Sequence, residues 1–377
     1  MRTARGRSFA HSADVAIREA TSSFGAIEPD LVLAFVSTKQ DPVATYGALH
    51  ERFPNALVVG CSTTGESLDG AHANGSLTVA ALETPNVRWS TKVIEPLSRF
   101  SEPLAVQAVT DAFRDLAVDP TTLDASEVVG VLFSDGLSCK EERLAAAVAD
   151  ALEGFPLVGG SAGDDLAFER TWVLGPGGAR SDAAVLLVGR GPAGFYRVVK
   201  HQHFTERRTS LAVTRADPAR RVVYELDGYP AADAYARALG CTAAELTDDA
   251  TLSNPVVVKV QGQLYVRSIQ KVNADGSLTF YCAVDEGWIL DLAGHHEMVP
   301  ALEQDLAALR SAPPAFMLGF NCILRALEAE KHGLHPDIQR VLERAAAASV
   351  SFDTYGEVLN GLHINQTLVA LALDDAA

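Results

Sequence analysis

Residues 159–163 read Gly159-Gly160-Ser161-Ala162-Gly163 and match G-x-S-x-G, the turn that exposes a nucleophilic serine in one class of hydrolases. Phe155 to Val158 supply the apolar run that comes before such a turn, and an acid and a histidine follow in chain order, Asp285 and then His295 or His363. The elbow also needs a helix directly after the serine. Here Asp164-Asp165-Leu166-Ala167-Phe168 leads into a β-like segment after about five residues, which leaves no room for one. A tight turn at a strand end is the expectation, with Ser161 hydrolysis a remote alternative. Arg267 lies in the apolar stretch Tyr265-Val266-Arg267, where a charge needs a partner: Asp285, Glu286, or an anionic ligand group. His201 and His203 are two apart on a strand and share a face. Cys282 and Cys322 have apolar neighbours, among which a thiol stays protonated. Tyr355, Glu357 and Asn365 bring polar groups to the place where the last strands meet, as a small-molecule pocket requires.

These residues are positioned by elements that recur. The run "LVLAFVST" (31–38) reads as a buried strand. A helix follows from Pro42, with Asp41 placed to cap it. "ALVVGCSTTGES" is a strand running into a small-residue turn, and two further strands come after it. The order returns in "EVVGVLFSDG" (127–136), a helix over 139–154, and "FPLVGGSAGDD". Phe35 matches Phe133, Phe53-Pro54 matches Phe155-Pro156, and Ser62 matches Ser161, 99 residues on. The turn "GCSTTG" does not keep the G-x-S-x-G spacing, so what is repeated is a strand-end turn. The expected fold is an α/β N-terminal domain built from two β-α-β-turn-β-β repeats, plus an α+β C-terminal domain with antiparallel strands. The boundaries read from the sequence are a helix and tail over 1–29, the duplicated domain over 30–197, and the second domain over 198–377.

The 377 residues carry a net charge of −17, and no basic patch relieves it, so nucleic acid is not an expected partner. No apolar run reaches the roughly 20 residues of a membrane span, and the basic N-terminus lacks the core of a secretory signal. Five scattered cysteines without a C-x-x-C pair point to reduced thiols and a cytoplasmic location.

"VVGCSTTGES", "VLFSDGLS" and "PLVGGSAGDD" closely resemble the FIST N domain, and "YGE…NGLHINQTLVALAL" resembles the end of its FIST C partner. The resemblance spans roughly residues 30–373 and implies a sensory module that binds a small ligand and is not an enzyme. "VRSIQKVNADGSLTFYCAVDEGWIL" and "TYGEVLNGLHINQT" look like the NosP subgroup, haem proteins that sense nitric oxide and regulate a partner histidine kinase or cyclic-di-GMP enzyme. That resemblance implies a haem site with His363 as axial ligand, His295 or His296 as alternatives, and Arg267, Tyr281, Cys322, Arg325, Tyr355, Glu357 and Asn365 around it. The subgroup carries a segment close to "GCDCILRRLE". Here it reads "GFNCILRALE", departing at Phe320, Asn321 and Ala326. The alternative is a sensor of an amino acid or small organic acid without haem. Homo-oligomerisation stays open.

Overall fold

The computed structural model describes residues 1–260 and 262–375. The first repeat comprises β1 (Arg2–Ser8), α1 (Ala13–Ala20), β2 (Leu31–Ser37), α2 (Pro42–Arg52), β3 (Leu57–Thr63), a hairpin of β4 (Glu66–Leu68) and β5 (Ala71–Ala73), and β6 (Leu77–Glu83). The segment before residue 30 thus adds an edge strand to the expected helix. Asp41 caps α2 by accepting from the Val43 and Ala44 amides at 2.8 and 3.3 Å. The second repeat follows the same plan: β7 (Arg88–Ile94), α3 (Glu102–Leu116), β8 (Val128–Ser134), α4 (Glu141–Ala151), β9 (Leu157–Ser161), a hairpin of β10 (Val173–Gly175) and β11 (Gly178–Arg180), and β12 (Ala184–Arg190).

The C-terminal part is α+β and contains a third copy of the unit, beyond the two that the sequence reveals. It begins with β13 (Tyr196–His201) and is then interrupted. The insert holds β14 (Phe204–Asp217), β15 (Val222–Leu226), β16 (Tyr229–Pro230), α5 (Ala231–Leu239), α6 (Asp248–Ser253), β17 (Val256–Val260), β18 (Gln263–Arg267), β19 (Ile269–Val272), β20 (Leu278–Phe280) and β21 (Ile289–His295). Helices α7 (Met298–Asp305) and α8 (Ala307–Ser311) return the chain to the third copy. That copy then runs through β22 (Phe316–Cys322), α9 (Ile323–Lys331), α10 (His335–Glu343), β23 (Ser349–Thr354), the hairpin of β24 (Glu357–Leu359) and β25 (Leu362–Ile364), and β26 (Leu368–Leu373).

Three six-stranded sheets share one plan, in the orders β1-β6-β2-β3-β10-β11, β7-β12-β8-β9-β24-β25 and β13-β26-β22-β23-β4-β5. The central pairs β2/β3, β8/β9 and β22/β23 are parallel, and each is joined through helix. The hairpin of each repeat completes the sheet of a different repeat. Every second residue of the central strands faces one shared interior: Leu31, Leu33 and Phe35; Val129, Val131 and Phe133; Phe316, Leu318 and Phe320. At one level Phe133 lies 6.3, 5.9 and 6.2 Å from the rings of Phe35, Phe320 and Phe352. Each fully buried phenylalanine contributes about 2 kcal/mol of transfer free energy, so this ring cluster helps bind the three walls together. The outward residues, such as Val32, Leu132 and Met317, lie under the helices.

Candidate functional site

The parallel pairs all deliver their C-terminal ends to one end of this interior. The register places Ser62, Ser161 and Asp353 at the same level, opposite Val36, Ser134 and Asn321. Crevices at the C-terminal ends of parallel strands are where α/β sheets hold ligands. Ser161 is fully buried, and its Oγ lies 3.2 Å from Ser134 Oγ. Ser62 Oγ donates to the Gly163 carbonyl at 2.8 Å and accepts from the Trp172 amide at 2.9 Å. Ser62 therefore fastens the turn after β9, while Ser161 ties the ends of β8 and β9 together.

The β9–β10 turn is the long one. Asp164 caps it by accepting from the amides of Phe168, Glu169 and Arg170 at 3.0, 2.7 and 2.9 Å. Tyr355, from the third repeat, also donates its hydroxyl to Asp164 and accepts from the Leu166 amide at 2.9 Å. Burial and Asp164 push the Tyr355 hydroxyl well above its usual range. Asp165, Leu166 and Phe168 have φ of 55°, 63° and 53°, a left-handed backbone that side chains other than glycine rarely adopt. Such strain in one short loop points to function. The loop separates two clefts and lends Asp165 to both.

One cleft, of about 210 Å³, lies at the seam between the third repeat and the β4–β5 hairpin, and is lined by Thr64, His72, Asn74, Ile323, Ala326, Leu327, Glu330 and Asp353 among others. A pouch of about 20 Å³ behind it shares His72 and Ala326 and reaches Asn321 and Arg325. The polar groups here form a chain. Arg325 Nη1 donates to Asn321 Oδ1 at 2.6 Å, Asn321 Nδ2 donates to Asp353 Oδ1 at 2.6 Å, and His72 Nε2 lies 2.8 Å from Asp353 Oδ2. The His72 ring stacks on His335 at 4.3 Å. Burial would lower the His72 pKa, but the bond to Asp353 together with the charges of Asp353 and Glu66 outweighs it, and the net direction is up. Arg325 is 2 % exposed, and its Nε and Nη2 have no partner. Burial pulls its pKa down to about 10.

Sequence reasoning missed His72 and Asp353. The signal was present: "GAHANGS" (70–76) answers "GLHINQT" (361–367), so His72 is the counterpart of His363. The registers agree, since His72 pairs with Ser67 and His363 with Val358 at equivalent hairpin positions. The same corners carry twin buried carboxyls. Glu66 is held by Thr63 and Ser76, and Glu357 by Thr354 and Thr367. Burial raises their pKa values to about 7 and about 8. In the second repeat Val173 occupies the equivalent register position.

The structure gives His363 a different setting from that expected of an axial ligand. It is 2 % exposed, and its Nδ1 lies 3.5 Å from Glu142 Oε1. A Cβ built on Gly356 would stand 2.1 Å from its Nε2, so that edge of the ring lies on backbone. Neither nitrogen faces a slot for a porphyrin, and the residues around His363 do not fit haem. They form the joint between the insert and the core instead. Arg221 bridges Glu141 and Glu142 of α4, the latter at 2.9 Å. The Ala283 amide donates to Glu142 at 2.8 Å, and Ser268 Oγ donates to Gln366 at 2.8 Å. Despite its burial, Glu142 is held well below the usual carboxylate range by His363 and Arg221.

Arg267 belongs to the same joint. Asp285 and Glu286 are not its partners, because both are exposed; Nη1 instead donates to the carbonyls of Val266 and His363 at 3.1 and 3.4 Å, and the guanidinium lies 5.5 Å from the Trp288 ring. Asn365 is buried there with both amide atoms unpartnered. Tyr281, Cys322 and Tyr355 pack in one apolar cluster beside α9. Burial lifts the Tyr281 hydroxyl to about 12, the Cys282 thiol to about 11 and the Cys322 thiol well above its usual value. His201 and His203 do share a face, with rings 6.3 Å apart, and they bond to Asp305 and Glu328 at 2.8 and 2.9 Å. His295 and His296 stand exposed at the end of β21. Phe320 is part of the aromatic core, while Asn321 and Ala326 line the pouch. Among the described residues no helix is long and apolar enough to cross a membrane.

Three walls around one interior, with clefts at the carboxyl ends of the strands, make a mixed α/β body. Comparison with family models matches residues 30–229 to the FIST N domain and residues 231–360 to the FIST C domain. The chain belongs to the FIST family, whose domains are sensory and bind small ligands in signal transduction. Comparison with curated protein sequences gives no match. Among solved structures, a cyanuric acid hydrolase from A. caulinodans aligns over 99 % of both chains at 9 % identity, with a TM-score of 0.40.

Proposed function

We propose that this chain is a non-enzymatic sensor of a small organic acid, such as an amino acid, held at the seam between the third repeat and the β4–β5 hairpin. The observation that carries this reading is Arg325, a fully buried guanidinium with two unpartnered N–H-bearing nitrogens beside a pouch that also touches His72 and Asn321. A carboxylate is the natural complement of an unsatisfied guanidinium. Ile323, Ala326 and Leu327 offer the ligand an apolar wall, and Glu330 is placed to receive an ammonium group. Because Asp353 and Asn321 belong to one repeat and His72 to another, a ligand here acts across a seam. It biases two arrangements of that seam by its differential affinity, and the arrangement is read by a partner protein. The family resemblance suggests a histidine kinase or a cyclic-di-GMP enzyme as that partner.

A thermal-shift screen with amino acids and small dicarboxylates tests this. One of them should stabilise the protein by RT ln(1 + [L]/Kd), about 2.7 kcal/mol at a hundredfold excess over Kd. The Arg325→Met variant should lose that response. A flat screen, or an undiminished response in Arg325→Met, would overturn the reading. A stoichiometric haem complex whose Soret band is lost in His363→Ala would favour haem-based nitric oxide sensing instead.

A further inference from the structure

The second cleft is independent of the Arg325 reading. It encloses about 300 Å³ between the β2–α2 turn and the strained loop, and Gln40, Ser62, Asp165, Glu169, Arg170 and Trp172 contribute to its wall. Its charges come mostly from carboxylates. Asp164 is already engaged by Tyr355 and three amides, whereas Asp165, which accepts from the Thr38 hydroxyl, and Glu169 are exposed. The α2 N-terminus, whose dipole would repel a cation, is capped by Asp41 and begins with Pro42.

Two further observations point to a guest. Gln40 is 3 % exposed; its Nε2 donates to the Ala10 carbonyl at 3.1 Å and its Oε1 has no partner. The guanidinium of Arg170 sits over the Trp172 ring, 3.9 Å from its centroid, with Nε donating to Ser181 Oγ at 3.1 Å. The chain thus places a cation of its own on the aromatic face of an acidic cleft. An exposed cation–π contact of this kind is worth only about 0.5–1 kcal/mol, so a free ligand can displace it.

We propose that this cleft is a second ligand site, selective for a compact cation with a guanidinium or alkylammonium group, and that Arg170 is a tethered stand-in for that group. The ligand cation takes the face of Trp172, with Asp165 and Glu169 around it and Gln40 Oε1 as a spare acceptor. The net charge of −17 favours the approach of such a ligand.

The test is calorimetric titration of the full chain with agmatine and, separately, with choline. At least one should bind in the millimolar range or tighter, and more weakly as salt is raised. The Arg170→Ala variant removes the tethered competitor and should bind about fivefold tighter. Trp172→Leu should abolish binding, and Asp165→Asn with Glu169→Gln should weaken it about tenfold. Arg170, Asp165 and Glu169 are exposed, so these variants should retain their circular dichroism melts. The Arg325→Met variant should bind both probes as the parent does, which separates this site from the seam. No binding of either probe at 10 mM, unchanged or weaker binding in Arg170→Ala, or full binding in Trp172→Leu would each overturn the proposal.

Discussion

Replacing Gly159 by alanine is expected to destabilise the protein by about 3 kcal/mol or more, whereas Gly47→Ala should stabilise it by up to about 1 kcal/mol. The first effect follows from how the parallel pairs close. At one level of each pair, one partner is a glycine: Gly60 opposite Ala34, Gly159 opposite Leu132, and Gly319 opposite Ser351. A Cβ on Gly159 would lie 2.1 Å from the Leu132 carbonyl oxygen, and one on Gly60 would lie 1.8 Å from that of Ala34. The atom in the way is backbone in a fully buried strand, so relief requires the two strands to part. Gly47 lies in α2 with nothing within 4 Å of its added Cβ, so alanine there simply improves helix propensity. Urea unfolding of both variants, read as the shift in midpoint at constant slope, checks the contrast. Gly159→Ala with unchanged stability would mean that the β8–β9 pair is looser than described.

The second large effect concerns pH. Glu357 is fully buried and titrates near 8, and Glu66 near 7, because burial disfavours their charged forms more than the threonine and serine donors favour them. Both folded values lie above the ordinary carboxylate value, so the folded state binds these protons more tightly than the unfolded chain does. Their contribution to stability is complete below about pH 4.5 and is lost progressively as pH rises through 7 and 8. The protein should therefore be less stable at pH 9 than at pH 5. Glu357→Gln, which keeps the shape and cannot ionise, should recover roughly 2–4 kcal/mol at pH 9 and little at pH 5. Urea midpoints at the two pH values give the result directly. An unchanged pH slope in Glu357→Gln would show that the carboxyl is ionised in the folded protein. His72, also raised, loses stability in the same direction, so the variant should flatten the slope without abolishing it.

Long apolar runs made the central strands readable. "LVLAFVS" and "VVGVLFS" are buried at every position, and Asp41-Pro42 marked the α2 start. The repeat of Ser62 at Ser161 also had its reason, since both stand at the same register level at the end of a parallel strand. The third copy was hidden because the insert breaks the spacing and an aspartate, Asp353, stands at the serine level. The hairpins escaped detection for another reason: strands of three residues, such as Ala71–Ala73 and Leu362–Ile364, are too short to show a period. That shortness concealed His72, the twin of a histidine that sequence had singled out. Arg267 misled because an arginine in an apolar strand implies a carboxylate, whereas backbone carbonyls and the face of Trp288 provide its partners.

The exchanged hairpins have a mechanical consequence. The first repeat lends its hairpin to the third sheet, the third lends to the second, and the second lends to the first, so the loans form a closed circuit. A linear stack of repeats can fray from its ends, but a circuit has no end unit: detaching any one repeat opens two seams at once. Residues assigned to FIST N and FIST C therefore share the load of a single ring, and severing the chain between them would strip the free edge of β9 and strand the β4–β5 hairpin without its sheet. Each seam is thus bounded by repeats that are themselves fastened at a second seam.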